Sequence, residues 1–370
     1  MKKIMLLLCG LSAAMAWGAW AAAPAPQVSS SAISAIPPGP LTRLTPAELK
    51  AFRAFDPIDA HTHVYRHDPA FTGLLQQMNL HIVDIVVPDP ADTASHRTLA
   101  QLRDQAWQAM AATQGRGRLS TAYDPFDWSS PGFPTDAIER LNQDFAHGAV
   151  ASTMWNNPGM SIKDGGVPVL PDNNRLEPIY KDAAARHKTL IAHLTAADEG
   201  WEAEDRSALG EGPEPAPHSG DLAAPPLLRA RDRIVQMNPN LRVIAVHLSS
   251  VKEGLDQIGR RLDLYPNLAI DTSLEVDPLM MLPRAQVRAF FLKYQDRILY
   301  GTDNSFRQLD DAKTIVAVWQ NRYAVDWRYF SSGSSFEYRG HQVQGLGLPP
   351  AVLRKLYHDN AVHWIPGAGR

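Results

Sequence analysis

The sequence contains almost no cysteine, no marked excess of charge of either sign and no long uninterrupted apolar segment. Cys9 is the single cysteine among 370 residues, so the fold cannot depend on an intramolecular disulfide. The formal net charge of −3 gives no electrostatic reason to expect nucleic acid or an anionic membrane as a partner. The chain does have 45% hydrophobic residues, enough for one large α/β barrel or for two ordinary domains.

The first 50 residues are predicted to lie outside the fold. An apolar stretch from Ile4 to about Trp17 follows two lysines, and small residues come next, as in a secretory signal peptide cleaved after Ala21. The apolar stretch is short for a membrane span, although an uncleaved anchor stays open as an alternative. We expect residues 1–21 to be a signal peptide and residues 22–50 a flexible leader rich in alanine, proline and serine. The mature protein would then be periplasmic and outside the membrane.

From residue 51 to residue 370 the chain alternates between short apolar runs and segments with helical periodicity. The runs predict eight strands: Ile58–His63, Ile82–Val87, Arg118–Tyr123, Ala149–Trp155, Thr189–Leu194, Val243–Leu248, Leu268–Thr272 and Ile298–Thr302. The helical patterns are His96–Thr113, Leu176–Arg186, Leu227–Met237, Val251–Leu264, Arg284–Tyr294, Asp310–Tyr323 and Pro350–Trp364. Strands that alternate with helices form a parallel sheet, so the pattern predicts an α/β fold, a single (β/α)8 TIM barrel.

Histidines and one aspartate stand at the ends of four of these strands: His61, His63, His193, His247 and Asp303. Each histidine alone is explained as well by a core position, and an aspartate there is also a favoured helix cap. Four strands that end in this way are harder to explain by coincidence. Because the carboxyl ends of parallel strands meet at one rim of a barrel, the pattern predicts a divalent-metal site there.

Two aspartates on the predicted strands are candidate supporting residues. Alternation along the first strand predicts that Asp59 shares a face with His61 and His63, where its carboxylate could accept a proton from a ligand imidazole or orient the site. Asp271 ends the seventh strand, where it could either support the site or cap the segment that follows.

The chain resembles the amidohydrolase superfamily, and within it the amidohydrolase-related (amidohydrolase 2) branch that includes aminocarboxymuconate semialdehyde decarboxylase. The motifs that carry the resemblance are DAHTH at 59–63, LEPIYKDAAARHKTLIAH at 176–193, LRVIAVHLSSV at 241–251, DRILYGTD at 296–303 and LRKLYHDNAVHWI at 353–365. The resemblance implies one divalent ion, with zinc as the default, held by a set of four ligands: His61, His63, His193 and Asp303. It also implies that His247 acts beside the metal. Related sequences often have lysine on the fourth strand where this chain has Thr153, which favours a site for a single ion.

Several reactions are compatible with this site. A bound ion would lower the pKa of water from 15.7 toward roughly 7. Asp303 would take the proton, and His247 would stabilise the oxyanion or protonate the leaving group. Our first hypothesis is hydrolysis of a lactone, an amide or an activated carbon–carbon bond in a small carbonyl substrate. The alternative from another reaction class is decarboxylation of a small carboxylated substrate. A non-catalytic periplasmic barrel that binds a small molecule is the less favoured reading, and homo-oligomerisation stays open.

Loops that follow the strands are expected to shape the substrate site. Arg66, Trp155, Asn156 and Arg307 are candidates for binding substrate, by stacking, hydrogen bonding or pairing with a carboxylate. Residues 196–226 form a long proline-rich segment directly after His193, and we interpret it as a lid over the metal.

Overall fold

The computed structural model describes residues 42–88, 98–155, 162–194, 226–249, 254–307 and 310–369. The predicted signal peptide, residues 22–41 of the predicted leader, Asn156 and nearly all of the predicted lid lie outside the described residues.

A nine-stranded sheet forms the centre of the protein, and every neighbouring pair in it is parallel. Its strands are β1 (Ile58–Val64), β2 (His81–Ile85), β3 (Gly117–Ala122), β4 (Ala151–Met154), β5 (Thr189–Ala192), β6 (Arg242–Ala245), β7 (Leu268–Asp271), β8 (Ile298–Leu299) and β9 (Asn304–Phe306). From β1 to β8 each strand pairs with the next one along the chain.

The two ends of this sheet are parts of one chain segment. Strand β8 pairs with β7, while β9 pairs with β1. Between them, the carbonyl of Tyr300 accepts a hydrogen bond from the amide of Ala60 at 2.9 Å, and the amide of Asp303 donates to the carbonyl of His61 at 2.9 Å. Strands β8 and β9 are therefore two halves of the eighth strand position, and the curled sheet meets itself there. The predicted TIM-barrel class is confirmed.

Helices surround the sheet. They are α1 (Pro46–Arg53), α2 (Pro69–Met78), α3 (Leu99–Ala112), α4 (Phe133–His147), α5 (Glu177–Ala185), α6 (Pro226–Met237), α7 (Gly254–Leu264), α8 (Val276–Met281), α9 (Arg284–Lys293), α10 (Ala312–Ser331), α11 (Pro350–Arg354) and α12 (Asn360–Trp364). A π-helical turn, Lys355–Asp359, joins the last two, and 3-10 turns occupy Pro125–Ser129 and His247–Ser249. The described residues also form two antiparallel hairpins: Lys163–Asp164 with Val167–Pro168, and Ser335–Tyr338 with His341–Gln344. No helix among the described residues is both long and apolar enough to cross a membrane.

Helix α1 lies in the segment predicted to be a flexible leader. Thr45 begins it with a reciprocal capping box, in which its hydroxyl accepts from the amide of Glu48 and the Glu48 carboxylate accepts from the amide of Thr45. Phe52 is fully buried on this helix, with its ring edge-on to Trp327 at 5.6 Å. The described chain is thus already helical before residue 50, because the capping box starts the helix and the buried ring of Phe52 packs it against helix α10.

Two apolar clusters hold the layers together. The larger one fills the space between the outer faces of the strands and the helices. The smaller one gathers the opposite faces of the strands, and Trp364 and Ile365 from the end of the chain pack against them. Because this inner packing occupies the barrel interior, polar side chains at the carboxyl ends of the strands are left to face one another above it.

Candidate metal centre

Five predicted residues converge at the carboxyl ends of the barrel strands. His61 and His63 lie on β1, His193 follows the last residue of β5, His247 follows β6 by two residues, and Asp303 lies between β8 and β9. All four imidazoles are buried. The side chain of Asp303 is the more open one, with 16% of its surface exposed.

The side-chain atoms of these residues lie within a few ångströms of one another. Asp303 Oδ1 is 2.9 Å from His63 Nε2 and 3.6 Å from His61 Nε2. His193 Nε2 is 2.7 Å from His247 Nε2. Candidate ligand atoms of His61, His247 and Asp303 all lie within 4.8 Å of each other. The structure therefore places His61, His247 and Asp303 in one group of candidate ligands, with His63 beside Asp303 and His193 beside His247.

Hydrogen bonds on the far side of each ring orient three of the imidazoles. Nδ1 of His61 lies 2.8 Å from Asp271 Oδ2. Nδ1 of His63 lies 2.9 Å from the Ile85 carbonyl, and Nδ1 of His247 lies 3.0 Å from the Ser273 carbonyl. Carboxylate and carbonyl oxygens only accept hydrogen bonds, so we assign the proton of each neutral ring to Nδ1. The lone pairs of the Nε2 atoms are then directed toward the shared space.

These residues fit a divalent cation. His61 Nε2 is buried without a hydrogen-bond partner, and His63 Nε2 lies 2.9 Å from Asp303 Oδ1. A cation would bind these atoms together, because imidazole nitrogen and carboxylate oxygen are the ligands that zinc and similar metals take. His61, His63, His193 and Asp303 supply such donors.

The electrostatics of the cluster also favour positive charge. Burial acts to lower the pKa of His61, but the carboxylates of Asp271, Asp303 and Asp59 together raise that pKa to about 9. Burial acts to raise the pKa of Asp271, yet contact with His61 holds it below the usual range. The same competition, between burial and the imidazoles of His61 and His63, lowers the pKa of Asp303. Both carboxylates are therefore ionised, and they surround rings that can bind a proton or a metal.

The other two histidines are held neutral. Burial, reinforced by His247 and His61, lowers the pKa of His193 well below its usual range. Burial and the neighbouring His61 also lower the pKa of His247. A neutral imidazole is the form that binds metal ions and accepts protons.

Asp59 lies next to the site, and its Oδ1 accepts a hydrogen bond from the amide of His61 at 3.2 Å. Its carboxylate accepts hydrogen bonds from the amide and hydroxyl of Thr302, at 3.0 and 2.6 Å, and from the hydroxyl of Tyr323 at 2.8 Å. Among the described residues no imidazole hydrogen-bonds to it. The register between β1 and β2 shifts between Asp59 and Thr62, so strict alternation does not carry through this strand. Asp271 instead accepts the hydrogen bond from His61.

The candidate substrate residues have different surroundings. Trp155 stacks on the ring of His193, with centroids 3.6 Å apart, so it lies directly against the cluster. Arg66 bonds Asp68 at 2.9 Å and the carbonyl of Asp310 at 3.0 Å, which leaves it occupied by contacts within the protein. Arg307 is exposed.

Sequence reasoning missed Ser273 altogether. Its hydroxyl lies 2.5 Å from Asp271 Oδ1 and 3.0 Å from His247 Nδ1, so it connects two residues of the site. A serine after a strand carries no signal of its own, and its importance follows only from the folded arrangement. His247, Leu274 and Asp303 have positive φ angles of 56°, 58° and 61°, a conformation that non-glycine residues keep only where the surrounding structure enforces it.

Comparison with known proteins gives a family and a fold. The family model described as Amidohydrolase matches residues 58–366, which is most of the chain. No curated protein matches the chain. An uncharacterised TIM-barrel protein from Bordetella bronchiseptica is 14% identical, covers 88% of this chain and 92% of its own, and has a TM-score of 0.50.

Two further solved structures have named activities. The 2,6-dihydroxybenzoate decarboxylase from Rhizobium is 15% identical, with coverages of 83% of this chain and 98% of that chain and a TM-score of 0.48. A putative 2-pyrone-4,6-dicarboxylic acid hydrolase from Pseudomonas putida is 15% identical, with coverages of 84% and 97% and a TM-score of 0.47. At these identities the similarity concerns the fold alone.

Proposed function

Because the chain belongs to the amidohydrolase family of enzymes, we propose that it is a metal-dependent hydrolase that adds water to a small carbonyl compound. The substrate class we propose is a lactone, an amide or an activated carbon–carbon bond. The observation that carries the proposal is the orientation of three imidazoles whose Nδ1 atoms are tied to acceptors, with the buried Nε2 of His61 left unpaired beside the Asp303 carboxylate.

We assign the metal to His61, His63, His193 and Asp303, and we propose zinc because it accepts a set of imidazoles with one carboxylate. A divalent ion held there would supply the positive charge that makes water more acidic and polarises a substrate carbonyl. The two groups that remain for proton transfer are Asp303 and His247.

Asp303 is the proposed base toward water. Its carboxylate is ionised, since His61 and His63 hold its pKa down, and it is more open to solvent than the imidazoles around it. The left-handed backbone conformation of Asp303 is fixed by the hydrogen bond from its amide to the carbonyl of His61. It therefore has a fixed place next to the first-strand histidines, where it can accept a proton from the attacking water.

His247 is the proposed carrier of that proton to the leaving group. Its Nδ1–H is held by the Ser273 carbonyl, so the lone pair is on Nε2, which lies 2.7 Å from Nε2 of His193. The lowered pKa of His247 keeps the ring neutral and able to accept a proton. One proton then moves from water to Asp303, from there to His247, and finally onto the departing nitrogen, oxygen or carbon, which leaves both residues in their starting states.

The test is an assay of purified protein whose metal content is known. A panel of lactones, amides and carboxylated aromatic acids is incubated with and without a chelator, and release of carbon dioxide is recorded in parallel. Chelator-sensitive hydrolysis without carbon dioxide supports the proposal. Carbon dioxide release assigns the protein to the decarboxylases instead, and metal binding without any turnover supports a binding barrel. A His247→Ala variant that keeps wild-type turnover contradicts the role given to His247.

We also propose that the protein is exported to the periplasm after removal of residues 1–21. The support is the sequence pattern of two lysines, an apolar stretch and small residues before Ala22. Amino-terminal sequencing of protein from a periplasmic fraction tests this, with Ala22 expected as the first residue. Recovery of the intact amino terminus in the membrane fraction is the contrary result.

A further inference from the structure

We propose that Asp271 is a positioning residue which, through its two carboxylate oxygens, orients the metal-binding His61 and the proton-carrying His247 together. This inference rests on the proposed function, since it concerns the same site. It adds a residue that touches neither water nor substrate but on which two separate activities of the site depend.

One carboxylate oxygen of Asp271 orients the metal-binding His61. Oδ2 lies 2.8 Å from Nδ1 of His61, and both side chains are almost completely buried. This contact fixes the ring with its unpaired Nε2 toward Asp303, and it makes that nitrogen a better donor for a cation. Glycine at position 301 permits this close packing, because a Cβ there would lie 2.9 Å from the Cβ of His61 and 3.6 Å from the Cβ of Asp271.

The other carboxylate oxygen of Asp271 holds His247 and Ser273. Oδ1 accepts from the amide of His247 at 2.9 Å, from the amide of Ser273 at 3.2 Å and from the hydroxyl of Ser273 at 2.5 Å. The hydroxyl and carbonyl oxygens of Ser273 each lie 3.0 Å from Nδ1 of His247. Asp271 thus holds the backbone of His247 directly and its ring through Ser273.

Only a carboxylate can satisfy this arrangement. Four donors from three residues point at Asp271, one at Oδ2 and three at Oδ1, and a carboxylate offers acceptors on both oxygens. Asparagine keeps the size of the side chain but has a single acceptor oxygen. Its NH₂ group would have to face either the Nδ1–H of His61 or the amide of His247, so one of the two histidines loses its support.

The experiment compares three variants with wild type in two measurements. Asp271→Asn removes the negative charge that both histidines share and the acceptor of one of them. Ser273→Ala removes the hydroxyl that lies between Asp271 Oδ1 and the ring of His247 and keeps the Ser273 carbonyl, and Asp84→Asn is the control. Asp84 is another buried strand aspartate, whose carboxylate accepts from the amide of Val64 at 2.6 Å. The measurements are Zn²⁺ affinity by competition with a chelator and the steady-state constants kcat and KM for a substrate that the panel identifies.

We expect Asp271→Asn to weaken Zn²⁺ binding by about 10–100-fold, the usual effect of losing a partner of a ligand histidine, and to lower kcat as well. Ser273→Ala should keep Zn²⁺ affinity within about threefold of wild type while lowering kcat more than it changes KM. Asp84→Asn should match wild type in both measurements. If Asp271 had only a structural role, Asp271→Asn would not lower both Zn²⁺ affinity and kcat while Ser273→Ala lowers kcat alone.

Each contrary outcome has a distinct meaning. Wild-type protein that binds no Zn²⁺ contradicts the proposed function. Wild-type protein that binds Zn²⁺ while Asp271→Asn binds it equally well contradicts this inference and leaves the proposed function intact. If Asp271→Asn does not fold, as judged by circular dichroism and cooperative unfolding, Ser273→Ala still decides the matter, since unchanged kcat in that variant overturns the link to His247.

Discussion

The Nε2 atoms of His193 and His247 lie 2.7 Å apart, so one of these imidazoles donates a hydrogen bond to the other. The Nδ1–H of His247 is already held by the Ser273 carbonyl, which leaves His193 as the donor. Its opposite nitrogen, Nδ1, is buried without a hydrogen-bond partner. His193 can therefore bind a cation through Nε2 only by giving up this proton and its contact with His247, and loading the metal also frees Nε2 of His247.

The first prediction separates these two histidines. His193→Ala should weaken Zn²⁺ binding by more than the roughly 10–100-fold seen for residues outside a ligand set, because it removes a ligand. His247→Ala should keep the metal and lower kcat by about 10²–10⁴-fold, the usual contribution of one acid–base group. Elemental analysis after gel filtration and steady-state kinetics give both values. The reverse pattern would place His247 among the ligands, as its closeness to His61 and Asp303 allows.

The position of the site could be predicted from the sequence because of how a parallel barrel is built. Every strand runs in the same direction, so a residue at the carboxyl end of any strand lies at the same rim. His193 and His247 each come directly after a short apolar run, and Asp303 follows the run that contains Ile298. A local pattern was therefore enough to bring together residues that are far apart along the chain.

The details within the site could not be predicted in the same way. The face that Asp59 uses depends on a register shift between β1 and β2, which changes which residues lie on one face and leaves no mark in the local pattern. Asp271 meets His61 across 210 positions of sequence, so nothing near it distinguishes a cap from a partner of an imidazole. Helix α1, by contrast, does carry a readable signal, since Thr45 and Glu48 have the spacing of a capping box.

The second prediction concerns the close contact between Gly301 and His61. Gly301→Ala would place a Cβ 2.9 Å from the Cβ of His61 and 3.5 Å from its amide nitrogen, so the first strand has to move. We expect a loss of about 1–3 kcal/mol in the free energy of unfolding and weaker Zn²⁺ binding, because the displaced ring is a ligand. Gly73→Ala is the matched control, since a Cβ at this site in helix α2 would meet no atom within 4 Å. Zn²⁺ affinity equal in the two variants would contradict the argument.

The third prediction tests whether Asp59 supports the fold rather than the metal. Tyr323→Phe removes the hydroxyl that donates to Asp59 Oδ2 at 2.8 Å and leaves the two hydrogen bonds from Thr302. We expect the free energy of unfolding to fall by about 1 kcal/mol, the usual worth of one hydrogen bond, with Zn²⁺ affinity unchanged. Tyr338→Phe, which removes a hydroxyl that donates to Asp277 at 3.1 Å, is the control for loss of a hydroxyl. If Tyr323→Phe loses Zn²⁺ affinity and Tyr338→Phe does not, Asp59 supports the metal site and not only the fold.

The same carboxyl group gives a fourth prediction, on pH. Burial raises the pKa of Asp59 to about 7 although Thr302 and Tyr323 donate to it. The folded protein therefore holds a proton that the unfolded chain releases above a pKa near 3.8, so this group favours folding less as pH rises from 3.8 through 7. Removing the Tyr323 hydroxyl takes away a bond that stabilises the charged form. The deficit of Tyr323→Phe in unfolding free energy should consequently be larger at pH 8.5 than at pH 5, and a constant deficit would contradict this.

The last prediction concerns acid stability at the contact between helix α1 and helix α10. A bond from Arg328 to the Glu48 carboxylate at 2.7 Å is the main cause that lowers the pKa of Glu48 to about 2. An acid whose folded pKa is depressed stabilises the fold above its unfolded pKa of about 4.5 and loses that contribution as pH falls toward 2. Glu48→Gln should thus be less stable than wild type at pH 7, by about 1 kcal/mol or less because the pair is partly open to solvent, and the difference should vanish near pH 2.

Chemical denaturation at pH 7, pH 4 and pH 2.5 measures this dependence. Glu139→Gln is the control, since Glu139 is exposed on helix α4 and its bond is to Gln143, a neutral partner at 3.4 Å. The pair also has a structural consequence, because Arg328 contacts Thr42 Oγ1 at 2.8 Å and the carbonyl of Arg43 at 2.8 Å in addition to Glu48. Loss of the carboxylate should therefore expose the segment before helix α1 to proteases before the barrel unfolds. A Glu48→Gln variant as resistant to limited proteolysis at pH 7 as Glu139→Gln would show that the Glu48–Arg328 pair does not hold helix α1 in place.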